Sequence, residues 1–340
     1  MNKLSVSPYF HPTTVVLVDD NLDFLSNLSL QLDANMAYRL FDSPQKALAH
    51  LNNGTRSRSL RERFFSAINS NRFGLATEPT LRLDLSAIQR EVRNTQRFAE
   101  TAVVIADYSM PQMSGIEFCK QIRNPYIKKV LFTGVADECI AIRAFNEGII
   151  DRFIRKSERD VYDGINTAIT ELQAAYIHDT AHTINEVLSV GTEDCLSDPG
   201  FVEFFQQLRT QHKFIEYYRA TEPNGFLLVD AEGNTARLIM LTDEELSLHA
   251  KIARSRGASQ ALLDALDSGD TVPYFESSAD GFYHPECADW SDKLHPARTL
   301  EGRKHYHWAL VHESGVPGGA EIASYLSYLD WLDTTGYALT

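Results

Sequence analysis

Four apolar residues in a row, Val103-Val104-Ile105-Ala106, run straight into Asp107 and a loop punctuated by Pro111 and Gly115. An unbroken, mostly β-branched run of this length is the pattern of a strand buried on both faces, as in a parallel sheet. Helical spacing follows at Ile116, Phe118, Cys119 and Ile122, so the stretch reads as a strand–loop–helix unit. In open sheets built from such units, ligands bind beyond the carboxyl ends of the strands, which makes Asp107 the place to look for chemistry. One acid after a strand is by itself an ordinary turn or capping residue. The other strands decide.

Three further strands end on polar groups. Val15-Val16-Leu17-Val18 ends on Asp19-Asp20, Lys129 to Phe132 on Thr133-Gly134, and Arg152 to Arg155 on Lys156. Adjacent acids at a strand end repel each other unless a cation shares them, and hard divalent cations favour oxygen ligands. Tyr38 to Phe41 is a fifth strand, and helical periodicity fills the gaps. The expected fold class is α/β, a doubly wound parallel five-stranded sheet of flavodoxin-like type, followed by an α+β module.

The set of strand-end residues resembles the receiver domain of two-component response regulators. The family pattern is an acidic pair after the first strand, an Asp in D-x-x-M-P-x-M-x-G, a Thr or Ser after the fourth strand, and an aromatic three residues before a Lys. Here these are Asp19-Asp20, Asp107 with Met110-Pro111, Met113 and Gly115, Thr133, and Phe153 with Lys156. Ser157 stands where the family usually carries Pro. The resemblance implies that Asp107 accepts a phosphoryl group with Thr133 and Lys156 assisting. It also implies Mg²⁺ held by Asp19, Asp20, Asp107 and the Ser109 backbone carbonyl, and Phe153 as the switch residue. Its expected partner is a sensor histidine kinase or a phosphotransfer protein in a phosphorelay. A late phosphoacceptor, a helical insert and an unfamiliar second module are similar, more loosely, to the response regulator of α-hydroxyketone quorum sensing.

The third strand is delayed by an insert at 53–100 with nine arginines against five acids. Apolar spacing predicts two helices there, Leu60–Asn69 and Leu83–Phe98. Helix five is expected to run past the receiver domain through Ile184 and Leu188, as a linker over 176–195 and a route to a homodimer. His178, Asp179 and His182 share its surface and read as solvated residues. The domains expected are therefore a receiver over 1–175, the linker, and an α+β module over 196–340. In that module Asp198-Pro199 and Thr242-Asp243-Glu244-Glu245 read as helix starts. Gly225 to Leu241 reads as a hairpin weakly similar to PAS-type domains. Gly318-Gly319-Ala320-Glu321-Ile322 echoes a diguanylate-cyclase signature with Ala at an acidic position. The histidines at 284–312 fit no zinc spacing. The chain's last helix, Tyr325 to Leu332, reads as core.

Composition narrows the function classes. Net charge is −14, and residues 191–340 hold 24 acids against eleven lysines and arginines. That opposes a phosphate-backbone or anionic-membrane binder. The alternative is a nucleic-acid-binding transcriptional regulator, acting through a non-standard output domain or the arginine-rich insert. Four scattered cysteines fit a reducing compartment, and the expected location is cytoplasmic. No catalytic set for an enzymatic output domain stands out.

Overall fold

The structure of the chain, a computed structural model, describes residues 5–53, 63–68, 80–134, 138–191, 195–221, 223–275, 278, 280–287, 289–313 and 322–335. In chain order the strands begin with β1 (Tyr9–Phe10), β2 (Thr14–Val18), β3 (Tyr38–Phe41), β4 (Phe65–Ile68) and β5 (Thr80–Leu83). Then come β6 (Thr101–Asp107), β7 (Lys128–Thr133), β8 (Arg152–Arg155), β9 (Glu216–Thr221) and β10 (Asn224–Val229). The series closes with β11 (Thr235–Thr242), β12 (Thr271–Pro273), β13 (Leu294–Pro296), β14 (Arg298–Glu301) and β15 (His305–Glu313). The helices are α1 (Leu22–Ser29), α2 (Pro44–Asn53), α3 (Leu85–Arg90), α4 (Gly115–Gln121) and α5 (Glu138–Asn146). They continue with α6 (Val161–Gly191), α7 (Pro199–His212), α8 (Asp243–Ser255), α9 (Gln260–Asp267) and α10 (Tyr325–Thr335).

These elements form two compact units, each gathered from three stretches of chain. One holds residues 12–61, 96–182 and 325–340, the other 1–11, 62–95 and 183–324. The contiguous boundaries expected at 175 and 196 are thus replaced by an interleaved division, which crosses α6 after His182.

In the first unit, β3-β2-β6-β7-β8 form a wholly parallel sheet. Val15 to Val18, Val103 to Ala106 and Val130 to Phe132 are all at most 2% exposed. Strands covered on both faces cannot alternate polar with apolar, which is why the sequence runs are continuous. The doubly wound flavodoxin-like class read from the sequence is the one observed. The sheet's far end is closed by α10. Tyr325 donates its hydroxyl to the Asn35 carbonyl at 2.8 Å and accepts from the Ala37 amide at 3.1 Å. Tyr328 and the Thr14 hydroxyl share a hydrogen bond of 2.7 Å, and Leu332 is fully buried. The reading of this helix as core holds, but its core is that of the parallel sheet rather than of the α+β module.

In the second unit, β1-β9-β10-β11-β15-β14 form an antiparallel sheet. Neighbouring residues of β11 serve opposite faces: Leu238 and Met240 join Phe201, Phe205, Phe226 and Trp308, while Ile239 and Leu241 join Leu246, Val272 and Tyr274. The hairpin read at Gly225 to Leu241 is β10–β11, closed by Asn234 bonding the Asp230 carboxylate. Asp198 caps α7 with Pro199 in its first turn, and Thr242 and Glu245 form a capping box at α8. The cyclase-like stretch at 318–321 lies outside the described residues.

The insert departs from expectation. Phe65–Ile68 is a strand paired with Thr80–Leu83, not part of a helix over Leu60–Asn69 (60–62 and 69 lie outside the described residues). Leu83–Phe98 is helical only over α3 and then breaks into 3₁₀ turns. Four apolar residues spaced over nine positions suit one helical face or a short strand equally, and pairing with β5 decides. Three of its arginines are engaged within the fold: Arg63 pairs Glu91 at 3.0 Å, Arg90 pairs Asp84 at 2.7 Å, and Arg97 is fully buried over the Phe98 ring. With its amide turned to face it, Gln89 accepts from the buried Arg237 guanidinium, and Tyr9 packs on Phe64 at 5.4 Å.

Candidate functional site

The parallel sheet delivers Asp19, Asp107, Thr133 and Lys156 from the carboxyl ends of four adjacent strands, β2, β6, β7 and β8. Lys156 Nζ lies 2.7 Å from Asp107 Oδ1 and 3.1 Å from Asp19 Oδ2. Both carboxylates are buried, Asp19 to 3% and Asp107 to 7% exposure, whereas Asp20 is exposed. One oxygen from each of Asp19, Asp20 and Asp107 lies within 4.8 Å of the others. Three carboxylates on one small volume are an all-oxygen donor set that fits a hard divalent cation.

Local backbone holds these acids in place. The Asn21 amide donates to Asp19 Oδ1 at 2.9 Å, and the Ser109 amide donates to Asp107 Oδ2 at 2.8 Å. Gly115 starts α4 against the back of the site, where a Cβ would come 2.3 Å from the Asp107 carbonyl oxygen and 2.7 Å from Leu131 Cδ1. That close approach explains the glycine eight residues after the acid. Ser114 and Glu117 close a capping box at the same turn, fixing where the loop hands over to the helix.

Thr133 is fully buried and donates its hydroxyl to the Gly134 carbonyl at 3.2 Å. The Lys156 amide donates to the Thr133 carbonyl at 2.9 Å, tying the ends of β7 and β8 together with Ser157 following. Phe153 is half-buried on β8. Two residues the sequence did not single out complete the lysine's surroundings. The Phe24 and Phe132 rings stack at 5.4 Å, and Lys156 Nζ sits 4.5 Å and 5.2 Å from their centres. Aromatic residues at core spacing look the same whether or not a cation rests on them, so no pattern could have flagged these two.

The electrostatics follow from the burial. The Asp19 carboxyl is pushed above the ordinary carboxylate range, first by burial and also by Asp107, against the Asn21 amide and Lys156. Burial works to lower the Lys156 ammonium, but its bonds and attraction to Asp107 and Asp19 outweigh that and raise it. Such a hollow strains against its own negative charge and draws in cations.

Other candidates fall differently. Asp179 on α6 pairs with Lys128 at 2.5 Å, and with His178 and His182 it is exposed, in keeping with a solvated surface. Among the described residues no helix is long and apolar enough to cross a membrane. Of the histidines at 284–312, His305 and His307 converge on Asp243.

Neither a family model nor a curated protein sequence matches the chain. Among solved structures, the response regulator LqsR of Legionella pneumophila is 35% identical, with all of both chains covered and a TM-score of 0.78. An uncharacterized protein from Neptuniibacter caesariensis is 23% identical over 50% of this chain and 93% of its own, at a TM-score of 0.34. A response regulator receiver domain protein from Clostridium thermocellum is 16% identical over 52% and 98%, at 0.31. The last two scores carry no weight beside the first.

Proposed function

Since the chain belongs to the response-regulator family that includes Legionella LqsR, we propose that it is switched by phosphorylation of Asp107. The observation that carries this reading is the convergence of Asp19, Asp20 and Asp107 on one another, with Lys156 on two of them, at the carboxyl edge of the sheet.

In this reading the Asp107 carboxylate attacks the phosphorus of a phosphohistidine or an acyl phosphate. An acyl phosphate bond forms, and the donor's nitrogen or oxygen leaves with the electron pair. Lys156, already 2.7 Å from Asp107, turns its N–H groups to the incoming phosphoryl oxygens. Thr133 exchanges the Gly134 carbonyl for a phosphoryl oxygen as acceptor. That movement vacates space at the end of β7, into which the half-buried Phe153 of β8 turns. Asp19, Asp20, Asp107 and the Ser109 carbonyl would hold Mg²⁺, which would supply charge neutralisation at the phosphoryl oxygens.

The donor is a sensor histidine kinase or phosphotransfer protein, the setting is a cytoplasmic phosphorelay, and the circuit is of the quorum-sensing kind. The acidic module passes the signal on by binding a protein or small ligand rather than by catalysis, with homodimerisation through α6 as one route. Nucleic-acid binding through the insert is the weaker reading, because Arg63, Arg90 and Arg97 are engaged within the fold.

The test is intact-mass measurement after incubation with acetyl phosphate and Mg²⁺. One phosphoryl group is expected on the wild-type chain and none on Asp107→Asn. Equal modification of both would end the assignment.

A further inference from the structure

We propose that Asp243, His305 and His307 form a binding site for a borderline divalent transition metal, with Zn²⁺ the best match. The site is chemically unlike the three-carboxylate hollow and lies wholly in the unit with the antiparallel sheet.

The placement follows from strand geometry. His305 and His307 are two residues apart on β15, so alternation turns both imidazoles to one face. Leu241 pairs with His307 and Thr242 with Tyr306, and Asp243 follows at once as the first residue of α8. The end of β11 therefore delivers a carboxylate directly onto the two rings. His307 Nε2 lies 2.8 Å from Asp243 Oδ1, and His305 Nδ1 lies 3.2 Å from the same oxygen. One ligand atom of each residue lies within 4.8 Å of the other two. In a tetrahedral zinc site with bonds near 2.0–2.1 Å, ligand atoms sit about 3.3 Å from each other. The cluster needs only a small outward adjustment to admit an ion.

The donor set selects the metal. Two imidazoles and one carboxylate suit Zn²⁺ and its transition-metal neighbours, whereas Mg²⁺ and Ca²⁺ take oxygen ligands. Glu301 Oε1 lies 3.4 Å from His305 Nε2, the ring nitrogen that faces away from Asp243. A carboxylate on the far nitrogen of a ligand histidine orients the ring and raises its basicity. His307 is the buried anchor, and its Nδ1 has no partner among the described residues, so no second bond forces the proton onto Nε2. The Asp243 side chain is 64% exposed and that of His305 33%, which leaves further coordination positions open to water or a ligand.

The experiment uses the full-length Asp107→Asn chain, which weakens the oxygen-only site, stripped of metal by a chelator. Co²⁺ is titrated in and followed by its visible ligand-field absorption, then displaced by Zn²⁺. One Co²⁺ per chain, displaced by Zn²⁺, is expected. His305→Ala and Asp243→Asn should each weaken binding by about a hundredfold or more. Glu301→Gln should weaken it by roughly 10–100-fold, as for an outer partner. Both ligand substitutions fall on partly exposed side chains, and circular dichroism checks that each variant folds. Should one fail to fold, the other decides. No stoichiometric Co²⁺ binding to the parent chain, or binding undiminished in the folded ligand variant, overturns the site.

Discussion

Lys156 Nζ stands 2.7 Å from Asp107 Oδ1, so the cation contributed by β8 already neutralises the acid expected to receive the phosphoryl group. Lys156→Ala should therefore split two properties that a general loss of structure would lower together. Mg²⁺ affinity should rise, because Asp19 and Asp107 lose their internal cation. Uptake of phosphoryl from acetyl phosphate should slow by about a hundredfold, the usual cost of removing one preorganised donor. Fluorescence titration with Mg²⁺ and intact-mass kinetics read the two. The lysine's folded pKa lies above its ordinary 10.5. The stabilisation it provides is thus complete below that value and is lost as pH rises through the folded one, a loss that Lys156→Ala should not show in urea unfolding.

Asp19 also loses stability as pH rises, but there the ionised form is the costly one. Its folded pKa is raised, by burial above all, so ionised Asp19 costs the fold stability as pH rises past 3.8. Asp19→Asn should move the urea midpoint upward at neutral pH in metal-free buffer and weaken Mg²⁺ binding by about tenfold or more. A lower midpoint with unchanged Mg²⁺ binding would contradict the described charge balance.

Gly115→Ala tests the packing behind the site. Its Cβ would meet the Asp107 carbonyl oxygen at 2.3 Å, a backbone atom that cannot swing aside. Overpacking of this kind costs about 1–3 kcal/mol. Because the strain falls on Asp107 itself, phosphoryl uptake should slow even at temperatures where the variant stays folded.

How much of this was legible in the residues depends on the range of the interactions concerned. The strands ending on Asp19, Asp107 and Thr133 carry their burial in unbroken apolar runs, and the polar endings of these and of the shorter strand before Lys156 mark the site edge. The order of the sheet then follows from short connections. Membership of the N-terminal segment was not legible, since the two-residue strand Tyr9–Phe10 joins β9 through partners more than 200 residues away. The metal cluster was hidden for the same reason: Asp243 and His305 lie 62 positions apart, and no local spacing links them. Nor could the apolar residues of α10 announce which unit they cover.

His249 predicts an acid sensitivity in the antiparallel unit. Burial lowers its pKa to about 4, its ring packs on Phe282 at 4.5 Å, and Nδ1 has no partner among the described residues. A depressed histidine binds its proton more readily in the unfolded chain, so its contribution is present above about 6.5 and is lost as pH falls towards 4. The full loss is on the order of 3 kcal/mol. His249→Leu should flatten the slope of stability against pH across this window, read by urea unfolding at several pH values. An unaltered slope would assign the acid sensitivity to other groups.

Phe98 predicts the importance of α10 to the parallel sheet. Its ring is fully buried, edge-on to Tyr325 at 5.1 Å and tilted against Tyr328 at 5.6 Å. Its carbonyl accepts from the Thr14 hydroxyl at 2.7 Å, and the same Thr14 hydroxyl oxygen also bonds Tyr328. Phe98→Ala should cost about 3–5 kcal/mol by opening a cavity between the sheet and the helix. Tyr328→Phe and Tyr325→Phe should each cost about 1–2 kcal/mol, because each hydroxyl serves two partners, Thr14 and Arg39 for Tyr328 and Asn35 and Ala37 for Tyr325. Phe98→Ala combined with Tyr325→Ala should fall short of the sum of the single losses, since the two rings share one contact. Thr14 begins β2, whereas Asp107 ends β6, so Phe98→Ala and Asp107→Asn touch opposite edges of the sheet and should add. Full additivity of Phe98→Ala with Tyr325→Ala, or no cost from either tyrosine-to-phenylalanine change, would mean that α10 is not anchored through this contact.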